Sequence, residues 1–256
     1  MLNRWQLPKR IFRHVLDGIY PPACVNCLQE DSELDELTRL CHGCREKLSP
    51  LRLHICQRCD ASVGPHLDTS SDCIHCQNDR FAFDRVLSLG VYDDELRSVI
   101  HRLKFHRQAP LASAMAQLLS ERIAAEMSSP YDLAVGVPHH WSQRLGRRAD
   151  SAELLADVIS RQLRIPCDRF LLVKSRRTAR QATLTPAQRR KNLRAAFRLR
   201  DRKHVAGKRI LLIDDVLTTG TTANRIAKLL RESGAESIIV AVLARGLGDV
   251  RDQTPF

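Results

Sequence analysis

The chain has 256 residues, 43% of them hydrophobic, which is enough apolar material for a buried core and excludes wholesale disorder. No apolar run approaches the length that crosses a bilayer, and the basic N-terminus (MLNRWQLPKRIFRHVLDGIY) lacks the apolar stretch and cleavage site of a secretory signal. The formal charge of +12 is concentrated: residues 161–209 hold 17 Lys or Arg against Asp168 and Asp201, a segment at +15 that leaves −3 for everything else. These features predict a soluble, cytoplasmic protein without a membrane span. The basic segment points to an anionic partner or substrate, with a solvated basic face as the plain alternative.

In chain order, residues 9–20 carry Ile11, Phe12, Val15, Leu16 and Ile19 at helical spacing, with Lys9, Arg10 and Arg13 between them. This predicts a short amphipathic helix that packs on its own protein or touches acidic lipid or a partner. Pro21-Pro22 ends it. A cysteine block follows, in which Cys24, Cys27, Cys41 and Cys44 recur as Cys56, Cys59, Cys73 and Cys76, each shifted by 32 residues. Each half reads C-x2-C-x13-C-x2-C, so the block is a duplicated unit. In a reducing compartment such pairs act as metal ligands, not disulfides. Four thiolates close a zinc tetrahedron without an open position for water, so the reading is two structural zinc ions. They are shared either sequentially, as two zinc ribbons, or between alternate pairs in a cross-brace.

Beyond Cys76 the pattern is that of an ordinary mixed domain. Strands are predicted at 85–92, 133–137, 209–213 and 237–244, and helices at 95–105, 111–127, 151–163 and 222–233. Strands alternating with helices imply an α/β fold with a mainly parallel sheet covered on both faces. The division is an N-terminal helix at 1–20, a double zinc module at 21–80 and an α/β domain at 81–256. That last domain is expected to have a core of its own.

The segment RILLIDDVLTTGTTA, 209–223, is the most informative. A buried strand is predicted to end in Asp214 and Asp215, and a hydroxyl- and glycine-rich turn then feeds a helix. Its amides and hydroxyls converge on one spot, reinforced by the positive end of the helix dipole, while Gly220 permits close approach of backbone to an anion. Carboxylates beside such a cradle suit a sugar whose hydroxyls they accept.

This segment resembles the phosphoribosyl pyrophosphate motif of type I phosphoribosyltransferases. The resemblance implies that Asp214 and Asp215 bind ribose hydroxyls and that Thr218, Thr219, Gly220, Thr221 and Thr222 bind the 5′-phosphate. Over about residues 20–245 the chain resembles the competence protein F (ComF/GntX) family, a double zinc ribbon followed by a phosphoribosyltransferase-like domain. The residues that carry the resemblance are the cysteine block, Tyr92 with Lys104-Phe105, Val137-Pro138, Arg180-Gln181, Arg190 with Asn192, Phe197, and the loop itself. The family implies a role in natural transformation, with single-stranded DNA and a competence helicase as partners. Two departures stand out. The chain reads Arg147-Arg148-Ala149-Asp150-Ser151 where the family usually has R-G-F-N-Q, and Gly136 replaces a usual proline in Val135-Gly136-Val137-Pro138-His139.

A phosphoribosyltransferase needs magnesium with phosphoribosyl pyrophosphate and positive charge on the departing pyrophosphate. Asp214 and Asp215 are the catalytic candidates. Lys104, Arg176, Arg177 and Arg180 are the candidates for charge neutralisation, and Val137 belongs to the pyrophosphate loop. No residue identifies an acceptor base. The competing reading is a non-catalytic adaptor that senses phosphoribosyl pyrophosphate or a nucleotide and contacts nucleic acid through its basic segment.

Overall fold

The computed structural model describes residues 21–31, 33–65, 72–106, 108–126, 130–138, 151–174 and 196–246. The amphipathic stretch expected at 9–20 lies outside them. No helix among the described residues is long and apolar enough to cross a membrane.

The duplication seen in the cysteines is repeated in the backbone. Leu28 N–H donates to the Cys24 carbonyl and Asp60 N–H to the Cys56 carbonyl, each at 2.9 Å. Leu28 and Asp60 both adopt positive φ, 64° and 58°. Antiparallel bridges join Ala23 to Glu30 and, one repeat later, Ile55 to Ser62. Each half is therefore a zinc-ribbon knuckle, and the first carries a short helix, α1 (His42–Leu48). Asp60 is among the residue types that tolerate a left-handed backbone, and its carboxylate has a further use. Buried in the domain, it receives Ser88 N–H at 2.8 Å and Arg52 Nη2 at 2.6 Å, so the second knuckle is tied to the sheet.

The sheet follows from long apolar runs flanked by helices. Strands β1 (Arg85–Val91), β2 (Leu133–Gly136), β5 (Arg209–Leu217) and β6 (Ser237–Arg245) form one sheet in the order β1-β6-β5-β2, with every pairing parallel. Helices α2 (Asp94–His106), α3 (Ala109–Glu126) and α4 (Ser151–Leu163) cover one face, on which Leu87, Leu211, Ile213, Ala241 and Leu243 lie. Helix α5 (Thr221–Arg231) covers the other, over Val86, Leu133, Ile210, Leu212 and Val240. Alternation of side chains along each strand sends successive residues into the two cores, as expected of a parallel sheet buried on both sides. A small antiparallel pair, β3 (Leu172–Lys174) with β4 (Phe197–Leu199), packs beside α5. Strands of three residues carry no periodic signal, and sequence analysis missed both.

Two findings revise the sequence-based picture. First, β5 does not stop at Ile213. It pairs with β6 through Leu217↔Arg245, so the two acids sit inside the strand. Second, the first zinc knuckle packs into the α/β core instead of standing beside it. Cys24, Leu40, Cys44 and Leu48 are buried in one cluster with Leu96, Met115 and Leu119. Arg102 of α2 donates to the Val25 and Asn26 carbonyls at 3.3 and 3.1 Å.

Candidate functional site

The eight thiols form two clusters, Cys24, Cys27, Cys41 and Cys44, then Cys56, Cys59, Cys73 and Cys76, with the sulfurs of each within 4.8 Å of one another. Sharing is thus sequential, which decides between the two arrangements open at the sequence level. Sulfur separations of 3.9 Å for Cys27–Cys41, 3.8 Å for Cys56–Cys76 and 3.6 Å for Cys59–Cys73 match a zinc tetrahedron. Zinc–sulfur bonds of about 2.3 Å give edges of about 3.8 Å. Both donor sets are all-thiolate and fit structural zinc. Burial opposes ionisation of Cys24, yet N–H donors of Cys41, Cys27 and Asn26 bring its thiol from 9.0 down to about 7. Cys56 is likewise brought to about 7, with burial outweighed by N–H donors from Cys59, Arg58 and Cys73. Both shifts favour the thiolate that zinc requires, whereas burial pushes Cys44 up to about 12 and Cys59 up to about 11, so at those positions zinc must itself displace the proton.

The phosphate-loop candidate lies at the C-terminal end of β5, where parallel sheets place ligands. Thr218 and Thr219 are exposed, while Gly220 is buried with φ 70° and caps α5. A side chain at Gly220 would put its Cβ 3.1 Å from the Phe81 ring. Glycine thus serves twice here, for the left-handed turn and for the close packing. The Thr219 and Thr221 hydroxyls lie 2.8 Å apart. The first-turn amides of α5 have no intrahelical acceptor and point, with the helix dipole, toward the loop. Thr218, Thr219, Gly220, Thr221 and Thr222 therefore form one contiguous turn at the start of α5.

The two acids have different surroundings. Asp215 is buried, accepts the Ser151 hydroxyl at 2.6 Å and stands 3.1 Å from Lys104 Nζ. Asp214 is half-buried, and strand alternation turns it the other way; its Oδ1 accepts the Asp215 N–H at 2.9 Å. Lys104 is thus brought to Asp215, on the side of the strand away from Asp214. Val137 is buried and its N–H is taken by the Ile213 carbonyl at 2.8 Å. Arg176, Arg177 and Arg180 lie outside the described residues.

One departure from the family pattern, Gly136, acquires a physical reason; of the other, only Ser151 lies among the described residues. A Cβ on Gly136 would meet the Ala152 carbonyl oxygen at 3.0 Å, so glycine is what lets the first turn of α4 close on β2. That same turn delivers Ser151 to Asp215. Sequence reasoning had Ser151 only as a missing amide side chain. It missed Phe81 and Arg245 altogether, since neither lies in a motif. The one available signal for Arg245 was a charged residue closing the apolar run SIIVAVLA.

Residues 15–77 match the family described as double zinc ribbon domain, and residues 149–254 match the phosphoribosyl transferase domain. The chain is 32% identical over 225 residues to the DNA utilization protein YhgH of Escherichia coli O157:H7, covering 81% of this chain and 97% of that protein. It is 31% identical over 212 residues to competence protein F of Haemophilus influenzae, covering 80% and 90%. Among solved structures, a glutamine phosphoribosylpyrophosphate amidotransferase from B. subtilis, complexed with ADP and GMP, is 27% identical with a TM-score of 0.40. That alignment covers 56% of this chain and 30% of the other.

Proposed function

Because the chain belongs to the competence protein F family, which joins a double zinc ribbon to a phosphoribosyltransferase fold, we propose that it binds phosphoribosyl pyrophosphate or a nucleotide in the cytoplasm, in service of DNA utilization. The observation that carries this reading is the turn 218–222, opened by a left-handed Gly220 at the N-terminus of α5 and flanked by Asp214. The 5′-phosphate lies against the loop amides and threonine hydroxyls, and Asp214 accepts the ribose hydroxyls. Asp215, already engaged by Lys104 and Ser151, holds the second position of the acid pair. Hydrated magnesium enters with the pyrophosphate and is held mainly through it. Lys104 stands on the acid side of the site, and Arg176, Arg177 and Arg180 supply further positive charge to the leaving group. Turnover by a transferase would release pyrophosphate only with magnesium and an acceptor; a ligand sensor would bind without release.

Gly220→Ala tests the loop. A Cβ would strain a positive-φ position, at about 1–3 kcal/mol, and press on Phe81. Affinity for both ribose 5-phosphate and phosphoribosyl pyrophosphate is expected to fall about tenfold or more in calorimetric titration. Equal affinities for wild type and variant would remove the loop from the phosphate site.

A second reading concerns nucleic acid. Phe170 is 68% exposed, and the Arg200 guanidinium lies 5.7 Å from its ring centroid, an aromatic face beside positive charge within the basic segment. Such a pair suits stacking of an unpaired base with a phosphate alongside. On this reading the segment holds single-stranded DNA next to a helicase partner. Binding should weaken linearly in log affinity against log salt. Replacing Arg189, Arg190 and Lys191, which lie outside the described residues, with Gln should flatten that slope, and Phe170→Ala should weaken binding without changing it. Absence of binding at low salt would leave only the ligand-sensing role.

A further inference from the structure

The second zinc knuckle touches the phosphate loop at two points, and neither contact belongs to the ligand site itself. The first is Arg245, the last residue of β6, whose side chain is buried. Its Nε donates to the carbonyl of Cys59, a zinc ligand, at 3.1 Å. Its Nη1 donates to the Leu217 carbonyl at 3.1 Å and also to the carbonyls of Thr218 and Gly246. One planar guanidinium thus joins the knuckle backbone to the first residues of the phosphate turn. Gly246 closes the same corner: its N–H donates to the Leu217 carbonyl at 2.8 Å, and a Cβ there would lie 2.9 Å from Thr218 Cγ2. Among the described residues no carboxylate pairs with Arg245. Its partners are the carbonyl dipoles of Cys59, Leu217, Thr218 and Gly246.

The second contact is Phe81. It packs against the second cysteine cluster, stacks on Phe83 at 4.5 Å and fills the space where a Gly220 side chain would stand. Arg58 of the knuckle lies 5.5 Å above the Phe81 ring. Helix α5 grips the same stretch, because Asn224 Oδ1 accepts the Ala82 N–H at 2.7 Å. The loop is therefore held at Leu217–Thr218 by Arg245 and at Gly220 by Phe81. The first knuckle, by contrast, is fastened to α2 through Arg102.

We propose that Arg245 is a positioning residue that fastens the phosphate loop to the second zinc knuckle, so that this knuckle, and not the first, sets the loop conformation in which phosphate binds. The inference rests on the phosphate-loop reading above. Arginine is required because one side chain must donate in two directions at once; lysine keeps the charge, but its three donors radiate from one nitrogen and cannot span carbonyls on both sides.

The test uses the full chain loaded with zinc. Hydrogen exchange without ligand, calorimetry with phosphoribosyl pyrophosphate and magnesium, and zinc content are compared for wild type, Arg245→Lys and Phe81→Leu. The amides of Gly246 and Asn224, which donate to the Leu217 and Gly220 carbonyls, are expected to exchange about tenfold faster or more in Arg245→Lys, with protection at 210–213 in β5 unchanged. Zinc content should stay at two ions per chain and affinity should fall at least about tenfold. Phe81→Leu leaves no donor or carbonyl unpaired, so it decides the matter if Arg245→Lys does not fold. It should loosen Gly220–Thr222 and weaken binding in the same direction. Folded variants with wild-type loop exchange and wild-type affinity would overturn the proposal. Faster loop exchange in a protein whose wild type binds no phosphoribosyl pyrophosphate would uphold the coupling and overturn the ligand assignment instead.

Discussion

Cys24→Ser is expected to lower zinc content from two ions to one and to destabilise the whole chain, not the ribbon alone. Cys24 is fully buried in a cluster that runs from the first knuckle through Leu40 and Leu48 into Leu87, Leu96, Met115 and Leu119. The interface is also polar: Arg45 Nη2 meets Glu121 of α3 at 2.6 Å, and Arg102 reaches Asn26 Oδ1 at 2.8 Å. Structural zinc contributes about 10–16 kcal/mol in isolated zinc-finger modules, which rivals the whole stability of a typical domain. Losing the knuckle exposes Leu40 and Leu48, each side chain worth about 1.5–3 kcal/mol when buried, and strips cover from α2 and α3. At about 2–4 °C per kcal/mol for a chain of this size, the single melting transition should fall by about 10 °C or more. Two separate transitions, with the α/β transition unmoved, would show instead that the ribbon and the α/β core unfold independently.

Asp214→Asn and Asp215→Asn should separate binding from stability. Asp214 accepts ribose hydroxyls in the proposed site, and its replacement is expected to cost at least about tenfold in affinity with little change in melting temperature. Asp215 is buried beside Lys104, whose side chain is 27% exposed. Asparagine can still accept the Ser151 hydroxyl, but Lys104 then faces a neutral group. Removing one partner of a fully buried pair costs about 3–5 kcal/mol, and partial exposure of Lys104 reduces this to about 1–2 kcal/mol. Asp215→Asn should therefore lower the melting temperature as well as the affinity. Thermal melts and titrations on the two single variants read this directly. Unchanged affinity in Asp214→Asn would remove that acid from the ribose site.

What the sequence disclosed depended on the range over which its signals act. Regular cysteine spacing announced two metal sites, and the 32-residue shift announced the repeated knuckle. Apolar periodicity located the four sheet strands and the helices α2 to α5, and placed α4 at the bounds that the structure has. The turn at 218–222 was visible because its residues are contiguous. Contacts between distant segments left little trace. The grip of Arg245 on Cys59 spans 186 positions, and the Ser151–Asp215 bond spans 64. Helix α1 and strands β3 and β4, of seven and three residues, are too short for a period to register. The end of β5 was misjudged because two aspartates look like a strand terminus, whereas pairing with β6 and the partners of Asp215 keep them in the ladder.

The proposed site for a phosphorylated ribose consists of the turn at 218–222 and Asp214. Calorimetric titration of the zinc-loaded wild-type chain with phosphoribosyl pyrophosphate, in the presence and absence of magnesium, addresses it most directly. The account predicts saturable binding of one ligand per chain, strengthened by magnesium, with a dissociation constant within the range of about 1 μM to 1 mM common to small-molecule sites. No saturable heat from protein carrying both zinc ions, with phosphoribosyl pyrophosphate or with a nucleoside monophosphate at millimolar concentration, would contradict it.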